Sequence, residues 1–121
     1  MALSKTEYSG GVGDSLHSGI VNATAHTNIN SGAATVYAVQ VDATENNGED
    51  VYLPMYNSAS PTVGTTEPLM SLEGYRGKVT NYTFAEGVAF GTALSVAGVQ
   101  EKGGSGNTGP SGTARVKIIL S

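Results

Sequence analysis

The sequence has no cysteine, no tryptophan and little charge, since 13% of its 121 residues are Asp, Glu, Lys or Arg. Without cysteine the chain forms neither disulfides nor thiolate metal sites, so its stability must come from packing or from assembly. Its six Lys and Arg residues are scattered through a chain of net charge −4. Because no basic stripe is present, we expect no nucleic-acid partner.

Long apolar runs are also missing. No segment approaches the ~18 apolar residues that mark a membrane helix. The amino-terminal stretch MALSKTEYSGG lacks the apolar core of a signal peptide. We therefore expect synthesis in the cytoplasm without Sec-type export, and no membrane partner. Apolar residues never recur at helical spacing over a useful length, so helix should be a minor component at most.

The chain does contain short runs in which apolar and polar residues alternate. These runs cover residues 35–42, in which Tyr37, Val39 and Val41 share one face, and residues 51–56, 69–72, 78–84 and 113–120. In the last of them, alternate residues from Ala114 to Leu120 share one apolar face, with Arg115 and Lys117 on the other. About seven strands at this spacing, with turn residues between them, predict a single all-β domain. An antiparallel β-sandwich, a jelly roll and a small barrel all remain open.

The run 86–99 has the strongest strand pattern. Its bulky residues, beginning with Val88 and Phe90, alternate with Ala, Gly and Ser, and no charge interrupts it after Glu86. We expect it to be one central strand with a large and a small face. Asn47-Gly48, between two alternating runs, predicts a tight hairpin. Pro54 predicts either an edge strand or a donor position that faces away from its neighbour.

Residues 1–34 differ from the rest. They are rich in Gly, Ser, Thr, Asn and Ala, with isolated apolar side chains such as Leu3, Tyr8 and Leu16. So little apolar surface cannot offset the entropy of ordering this segment alone. We therefore interpret 1–34 as an extended amino-terminal arm and 35–121 as a β-sandwich body. The best strand candidate in the arm is 19–25, and the arm is either loose or lies on a partner.

Several motifs suggest chemistry without completing it. Gly13-Asp14-Ser15-Leu16 spells an esterase signature, but no Asp-x-x-His follows near the carboxyl end to supply the base. The glycine-rich run 104–109 is followed by proline and a strand, so it is interpreted as a loop and not as a dinucleotide site. The acid and amide side chains of 42–50 depart from EF-hand spacing and suit a solvated turn. We expect no enzyme activity, metal or cofactor.

Two runs resemble small virion proteins of tailed bacteriophages, most of all capsid decoration (cement) proteins. They are VYLPMYNSASPTVGTTEP at 51–68 and GVAFGTAL at 87–94. The chain differs from such proteins at 73–77, where it has EGYRG in place of a Gly/Pro-rich turn.

The resemblance implies a non-enzymatic β module on the capsid surface of a virion, made in the host cytoplasm. Its partner would be the major capsid protein, whose subunit contacts it would reinforce, and it would form a homo-oligomer, with a trimer favoured. The arm would order on the shell through Leu3, Tyr8 and Leu16. The alternative is a tail- or fibre-associated module that binds a receptor or carbohydrate, with tyrosines stacking on sugar rings. An esterase that uses Ser15 is the third hypothesis.

Overall fold

The computed structural model describes residues 3–7 and 15–121, and within these ranges the chain is all-β, without a helix. Accordingly, no membrane-spanning helix is found among these residues. The strands are β1 (Ser4–Glu7), β2 (Ser15–Val21), β3 (Ala34–Glu45), β4 (Val51–Asn57), β5 (Met70–Gly74), β6 (Val79–Phe90), β7 (Leu94–Val96) and β8 (Thr113–Leu120). All strand pairs are antiparallel. The all-β class predicted from the alternation is confirmed.

The strands form two sheets, a five-stranded one in the order β1-β2-β8-β3-β6 and a three-stranded one in the order β5-β4-β7. Their inward side chains share one core. From the first sheet it contains Val21, Ala34, Val36, Val39, Val41, Phe90, Ala114, Val116, Ile118 and Leu120, and from the second Val51, Leu53, Met55, Leu72, Leu94 and Val96. The two sheets therefore face each other across this core, as in a sandwich. A jelly-roll order of strands stays a prediction.

The last strand forms as the alternation predicts. β8 covers Thr113–Leu120, its alternate residues from Ala114 to Leu120 are buried, and Arg115 and Lys117 are exposed. It lies between β2 and β3 in the middle of the five-stranded sheet. The large sheet is thus assembled around the carboxyl-terminal strand.

The prediction of one central strand at 86–99 is wrong. Phe90 ends β6 in the five-stranded sheet, and Leu94 begins β7 in the three-stranded sheet, so the chain changes sheets at 91–93. Phe90, Leu94 and Val96 are nevertheless all buried in the shared core. Because both sheets face that core, an alternating pattern continues across the corner. Such a pattern does not reveal that the chain turns.

The predicted Asn47-Gly48 hairpin is also wrong. β3 pairs with β6 and β8, whereas β4 pairs with β5 and β7, so the turn joins the two sheets. Asn46 holds this connection. Its buried side chain donates from Nδ2 to the carbonyl of Glu49 (2.8 Å) and accepts at Oδ1 from the amide of Gly112 (2.7 Å).

Pro54 does not lie in an edge strand, since β4 is the middle strand of its sheet. It coincides with a break in the β4–β7 ladder. Val96 pairs with Met55, and Val99 pairs again with Tyr52 in an isolated bridge. Between them the Ala97 amide donates to the Pro54 carbonyl (3.2 Å), and Pro54 has no N–H to return.

The division into an arm at 1–34 and a body at 35–121 does not follow the strands. Ser15–Val21 forms β2, which pairs residue by residue with β8 and lies inside the large sheet. The strand predicted at 19–25 overlaps only the end of β2. From Ser15 onward the segment is therefore part of the sheet. Short polar strands form here because their backbone hydrogen bonds are completed by neighbours on both sides, β1 and β8.

β6 carries a large bulge. The pairing with β3 changes register between Val36 and Ala38, which face Val88 and Thr83 respectively. Residues 84–87 therefore stand opposite Tyr37 alone, and Gly87 takes φ 78°, beside the ring of Tyr37. The bulge interrupts alternation in both strands, which is why Tyr37 is not buried with Val39 as the sequence pattern predicted.

Candidate partner-binding surface

The three predicted contact residues do not share one surface. Leu3 is half-buried and packs against the core, with its side chain over Gly19 on the inner face of β2. Leu16 is half-buried on the outer face of the same strand, between the buried residues Ser15 and His17, which point inward. Tyr8 lies outside the described residues. Of the two described residues, Leu16 is the one on the outer face of the sheet, where a partner could meet it.

Leu16 lines a groove on the outer face of the five-stranded sheet. The strand registers align Leu16, Ile119, Ala38 and Thr83 in one row across β2, β8, β3 and β6. The groove has a volume of about 280 Å³ and is open to solvent along this row. We call the surface formed by Leu16, Ala38, Gln40, Asn81, Thr83, Lys117 and Ile119 the outer groove.

Polar side chains form one margin of the outer groove. In the next row along the strands, Lys117 lies beside Gln40, and Gln40 Nε2 donates to Asn81 Oδ1 (3.0 Å). An apolar floor with a polar margin is the arrangement found in protein interfaces, where the rim fixes orientation and the floor excludes water. The groove is therefore suited to an apolar side chain or short extended segment of a protein partner.

The charges on this face have both signs. Arg115 Nη1 lies 2.6 Å from Glu45 Oε1, an exposed ion pair of the kind that contributes about 0–1 kcal/mol. Across the sheet from Arg115, Asp42 accepts from the Thr44 hydroxyl (2.6 Å) and amide (3.0 Å), and these bonds hold the pKa of its carboxyl below the usual value. Such a mixed surface orients a partner but does not attract one sign of charge over the other.

Ser15 and His17 are neighbours on the inner face of β2. Ser15 Oγ and His17 Nε2 are 3.0 Å apart, and the two residues are only 3% and 2% exposed. Residues i and i+2 share a face of any strand, so the contact follows from strand geometry. Its chemical effect is to satisfy two buried polar groups that would otherwise be costly. The hydroxyl of the esterase-like signature thus faces the protein interior.

His17 and His26 line one polar cavity of about 380 Å³, together with Leu3 and the segment 25–29. His26 Nε2 lies 2.7 Å from the carbonyl oxygen of Ile20. Within 3–7 and 15–121, no group of three His, Cys, Asp or Glu residues is arranged as metal ligands would be.

Tyr52 lies in a separate depression on the outer face of the three-stranded sheet, with Ser71, Glu73, Lys102 and Gly103. Its hydroxyl donates to Glu73 Oε2 (3.1 Å). Partial burial, and then this hydrogen bond, raise the pKa of Tyr52. An aromatic ring beside a carboxylate, an amine and a hydroxyl can in principle bind a sugar, because the ring stacks and the polar groups bind hydroxyls.

The two runs that carry the phage resemblance contact each other. β4 pairs with β7, and Asn57 at the end of β4 accepts at Oδ1 from the amides of Thr92 (2.9 Å) and Ala93 (3.3 Å). Ser95, just after the second run, donates from Oγ to the carbonyl of Ser58 (2.6 Å). Hydrogen bonds to the first run thus stabilise residues 91–93, where the chain passes from one sheet to the other.

The proline-threonine-valine-glycine-threonine part of the first run forms a closed turn. The Thr62 carbonyl accepts from the amides of Thr65 (3.0 Å) and Thr66 (2.8 Å), and Thr66 Oγ1 accepts from the Thr62 amide (2.9 Å). Gly64 takes φ 89° and packs on the 105–107 loop. A side chain here would meet both a strained backbone and a close neighbour. The motif therefore specifies a loop shape.

Ile119 and Ala38 were not among the predicted contact residues. The sequence carried a signal for Ile119, since it lies on the same outward face of β8 as Arg115 and Lys117 and yet is apolar. Ala38 could not be found in this way because the bulge between Val36 and Ala38 sets its orientation.

No protein-family model and no curated protein sequence matches the chain. Among solved structures, the chain is similar to one from Bacillus endospore appendages, described as a novel family of disulfide-linked pili. The match covers 99% of this chain and 88% of that one, at 11% sequence identity and a TM-score of 0.41. A similarity of this strength has no bearing on function.

Proposed function

We propose that the chain is a non-enzymatic capsid decoration (cement) protein of a tailed bacteriophage. It binds the outer surface of the assembled shell as a homo-oligomer and stabilises contacts between subunits of the major capsid protein. The resemblance of 51–68 and 87–94 to small virion proteins suggests the class. The structural observation that supports it is the outer groove, a mainly apolar depression on the five-stranded sheet that a protein segment can fill.

Modest affinity at each groove is sufficient for this role. Seating one Leu- or Phe-sized side chain in an apolar depression stabilises a complex by about 1.5–3 kcal/mol. Several grooves on one oligomer, facing a shell with a repeating surface, add through effective concentration without any single tight site. A decoration protein therefore needs a groove of this kind in many copies.

The copy number of the chain tests the proposal first. Particles of the phage that encodes it would be purified, and the chain quantified by mass spectrometry relative to the major shell protein. We expect hundreds of copies in a simple ratio to that protein. A handful of copies would move the chain to the tail or fibre, and none would remove the proposal.

Binding to shells tests the groove itself. Leu16→Glu and Ile119→Glu each introduce a charge into the groove, so purified variants should fail to bind shells from which the chain has been removed. Ile20→Glu is the matched control, because Ile20 is a half-buried outward residue of β2 that does not line the groove. Equal binding by Leu16→Glu and Ile20→Glu would contradict the assignment of this face.

The second candidate function is carbohydrate or receptor binding on a tail or fibre, which the Tyr52 depression favours. Tyr52→Ala should then weaken glycan binding on an array or by saturation-transfer NMR. Tyr75→Ala serves as the control, because Tyr75 is exposed but lies outside this depression. Equal loss of binding in both variants would assign the glycan to another surface.

A further inference from the structure

The four sheet edges of the described chain are not equally protected. β1 is four residues long and β5 is five. The free side of β7 is occupied by the loop between β2 and β3, since His26 exchanges backbone hydrogen bonds with Val96 (2.8 and 3.0 Å) and the Ile29 amide donates to the Leu94 carbonyl (2.9 Å). β6, by contrast, is twelve residues long and ends the large sheet. Proteins commonly protect such an edge with charges or proline.

The first part of β6 presents an open ladder. The Ala43 amide donates to the Lys78 carbonyl (2.9 Å), and in the same register Thr80 faces Val41 and Tyr82 faces Val39. Because hydrogen-bonding residues alternate in an antiparallel pair, the backbone N–H and C=O groups of Val79, Asn81 and Thr83 point away from β3. No described strand pairs with that side. Its sequence, VTNYT, contains no charge and no proline.

The large apolar side chains that are exposed lie in β6 or next to β5, whose backbone Tyr82 of β6 contacts. The exposed large hydrophobic residues among those described are Leu69, Tyr75 and Val79, at 46%, 50% and 44%. Leu69 and Tyr75 flank β5, and Val79 begins β6. Tyr82 of β6 joins the two strands, since its hydroxyl donates to the Glu73 carbonyl (2.6 Å). An exposed apolar residue within an open strand edge, as Val79 is, favours a protein contact there.

The distribution of charge favours a second copy of this chain as the partner that pairs with the β6 edge. The basic residues Arg76 and Lys78 precede the open ladder, and the acidic Glu86 follows it in the bulge; all three are exposed. In antiparallel pairing of two β6 strands about Asn81, Val79 of one copy faces Thr83 of the other. The basic end of each strand then meets the acidic end of its partner, so opposite charges meet twice.

We propose that two copies of the chain pair their β6 strands antiparallel through residues 79–83, joining two five-stranded sheets into one. The interface is isologous, so pairing uses both open edges and closes the assembly instead of continuing it into a fibre. The bulge at 84–87 ends the pairing after one short ladder. This two-fold pair replaces the trimer that the phage resemblance implies, and it does not depend on the proposed function.

The molar mass in solution, measured by sedimentation equilibrium over a concentration series, tests the pairing. The wild-type chain should approach twice its 12.3 kDa mass with rising concentration. Asn81→Lys, which sets two lysines opposite each other on the axis, should raise the dimer dissociation constant by up to about fivefold. Ser18→Lys is the matched control, because it adds a lysine in the same row of the sheet but three strands from the edge.

Charge reversal tests the orientation. Arg76→Glu and Glu86→Arg should each weaken the dimer, and the double variant should restore it, because each single change makes like charges meet and the double change re-pairs them. Hydrogen exchange should also show the amides of Val79, Asn81 and Thr83 protected only at dimer-forming concentrations. A monomer at all concentrations, a trimer, a dimer unaffected by Asn81→Lys, or no rescue by the double reversal would overturn the proposal.

Discussion

Replacing Asn46 with alanine should destabilise the fold far more than its place in a polar turn indicates. The side chain is fully buried and makes two hydrogen bonds, to the Glu49 carbonyl (2.8 Å) and from the Gly112 amide (2.7 Å). These bonds join the end of β3 and the start of β4 to the segment that enters β8. Alanine removes both bonds and leaves two backbone groups without their partner.

The magnitude follows from the number of bonds. Each lost hydrogen bond costs about 1 kcal/mol, and a backbone group left unsatisfied adds to this where water cannot reach it. Gly112 is exposed and Glu49 is half-buried, so water recovers part of the loss. We expect the free energy of unfolding to fall by about 2–4 kcal/mol. For a chain of this size that lowers the melting temperature by roughly 6–15 °C.

Urea titration followed by circular dichroism, together with a thermal melt, measures this change. Asn47→Ala is the matched control, because Asn47 is exposed and its loss should change stability by less than about 0.5 kcal/mol. If Asn46→Ala and Asn47→Ala had the same small effect, the connection would not depend on the Asn46 side chain, and our account of the rejected hairpin would be wrong.

Three further predictions concern acid, packing and the amino terminus. The Ser111 amide and hydroxyl lower the pKa of Glu49, and the Thr108 hydroxyl and amide lower the pKa of Glu101. The stability that these two carboxylates contribute is therefore present above the ordinary pKa of 4.5 and is lost as pH falls through the lower folded-state pKa values. Glu49→Gln should reduce the difference in the free energy of unfolding between urea titrations at pH 5 and at pH 3. Gly74→Ala should cost about 1–3 kcal/mol in the same assay, because the new methyl group would overlap the Val41 side chain. Deleting residues 2–14 removes β1 but keeps all seven residues of β2 paired with β8, so a cooperatively melting body should remain. Deleting 2–18 should abolish the melt, because it also removes half of β2 and exposes the edge of β8; cooperative melting of both truncations would show that β2 is dispensable.

The sequence predicted those elements whose burial alternates without interruption. β8 is the clearest case, since its bounds and both its faces agree with the alternation. In β3 the same reasoning places Val39 and Val41 correctly but fails at Tyr37, because Tyr37 stands opposite the bulge at 84–87 of β6 and the burial pattern of β3 shifts there by one residue. A period of two residues cannot report a bulge whose cause lies in another strand.

The larger errors arise where long-range contacts override local preference. Asn47-Gly48 favours a two-residue hairpin, but the hydrogen bond that the Gly112 amide donates to Asn46 Oδ1 holds the turn between the two sheets. Likewise β2 contains too few apolar residues to look like a core strand. It is ordered because its backbone pairs with both β1 and β8, and because Ser15 and His17 satisfy each other inside. Neither partner can be identified from the local sequence.

The phage resemblance and the outer groove are independent of each other, and this determines how the proposed function can be tested. The residues that carry the resemblance have structural roles. Asn57 accepts a hydrogen bond from the Thr92 amide at the 91–93 corner, and the Thr62 carbonyl accepts from the amides of Thr65 and Thr66. They therefore specify the fold, and proteins with the same fold could carry different binding surfaces. The groove, by contrast, is formed by residues such as Leu16 and Ile119, which lie outside both runs. Variants in the groove can consequently remove binding while both runs of the resemblance stay unchanged. A change in the 51–68 turn that reduced binding would instead act through folding and would say nothing about the partner.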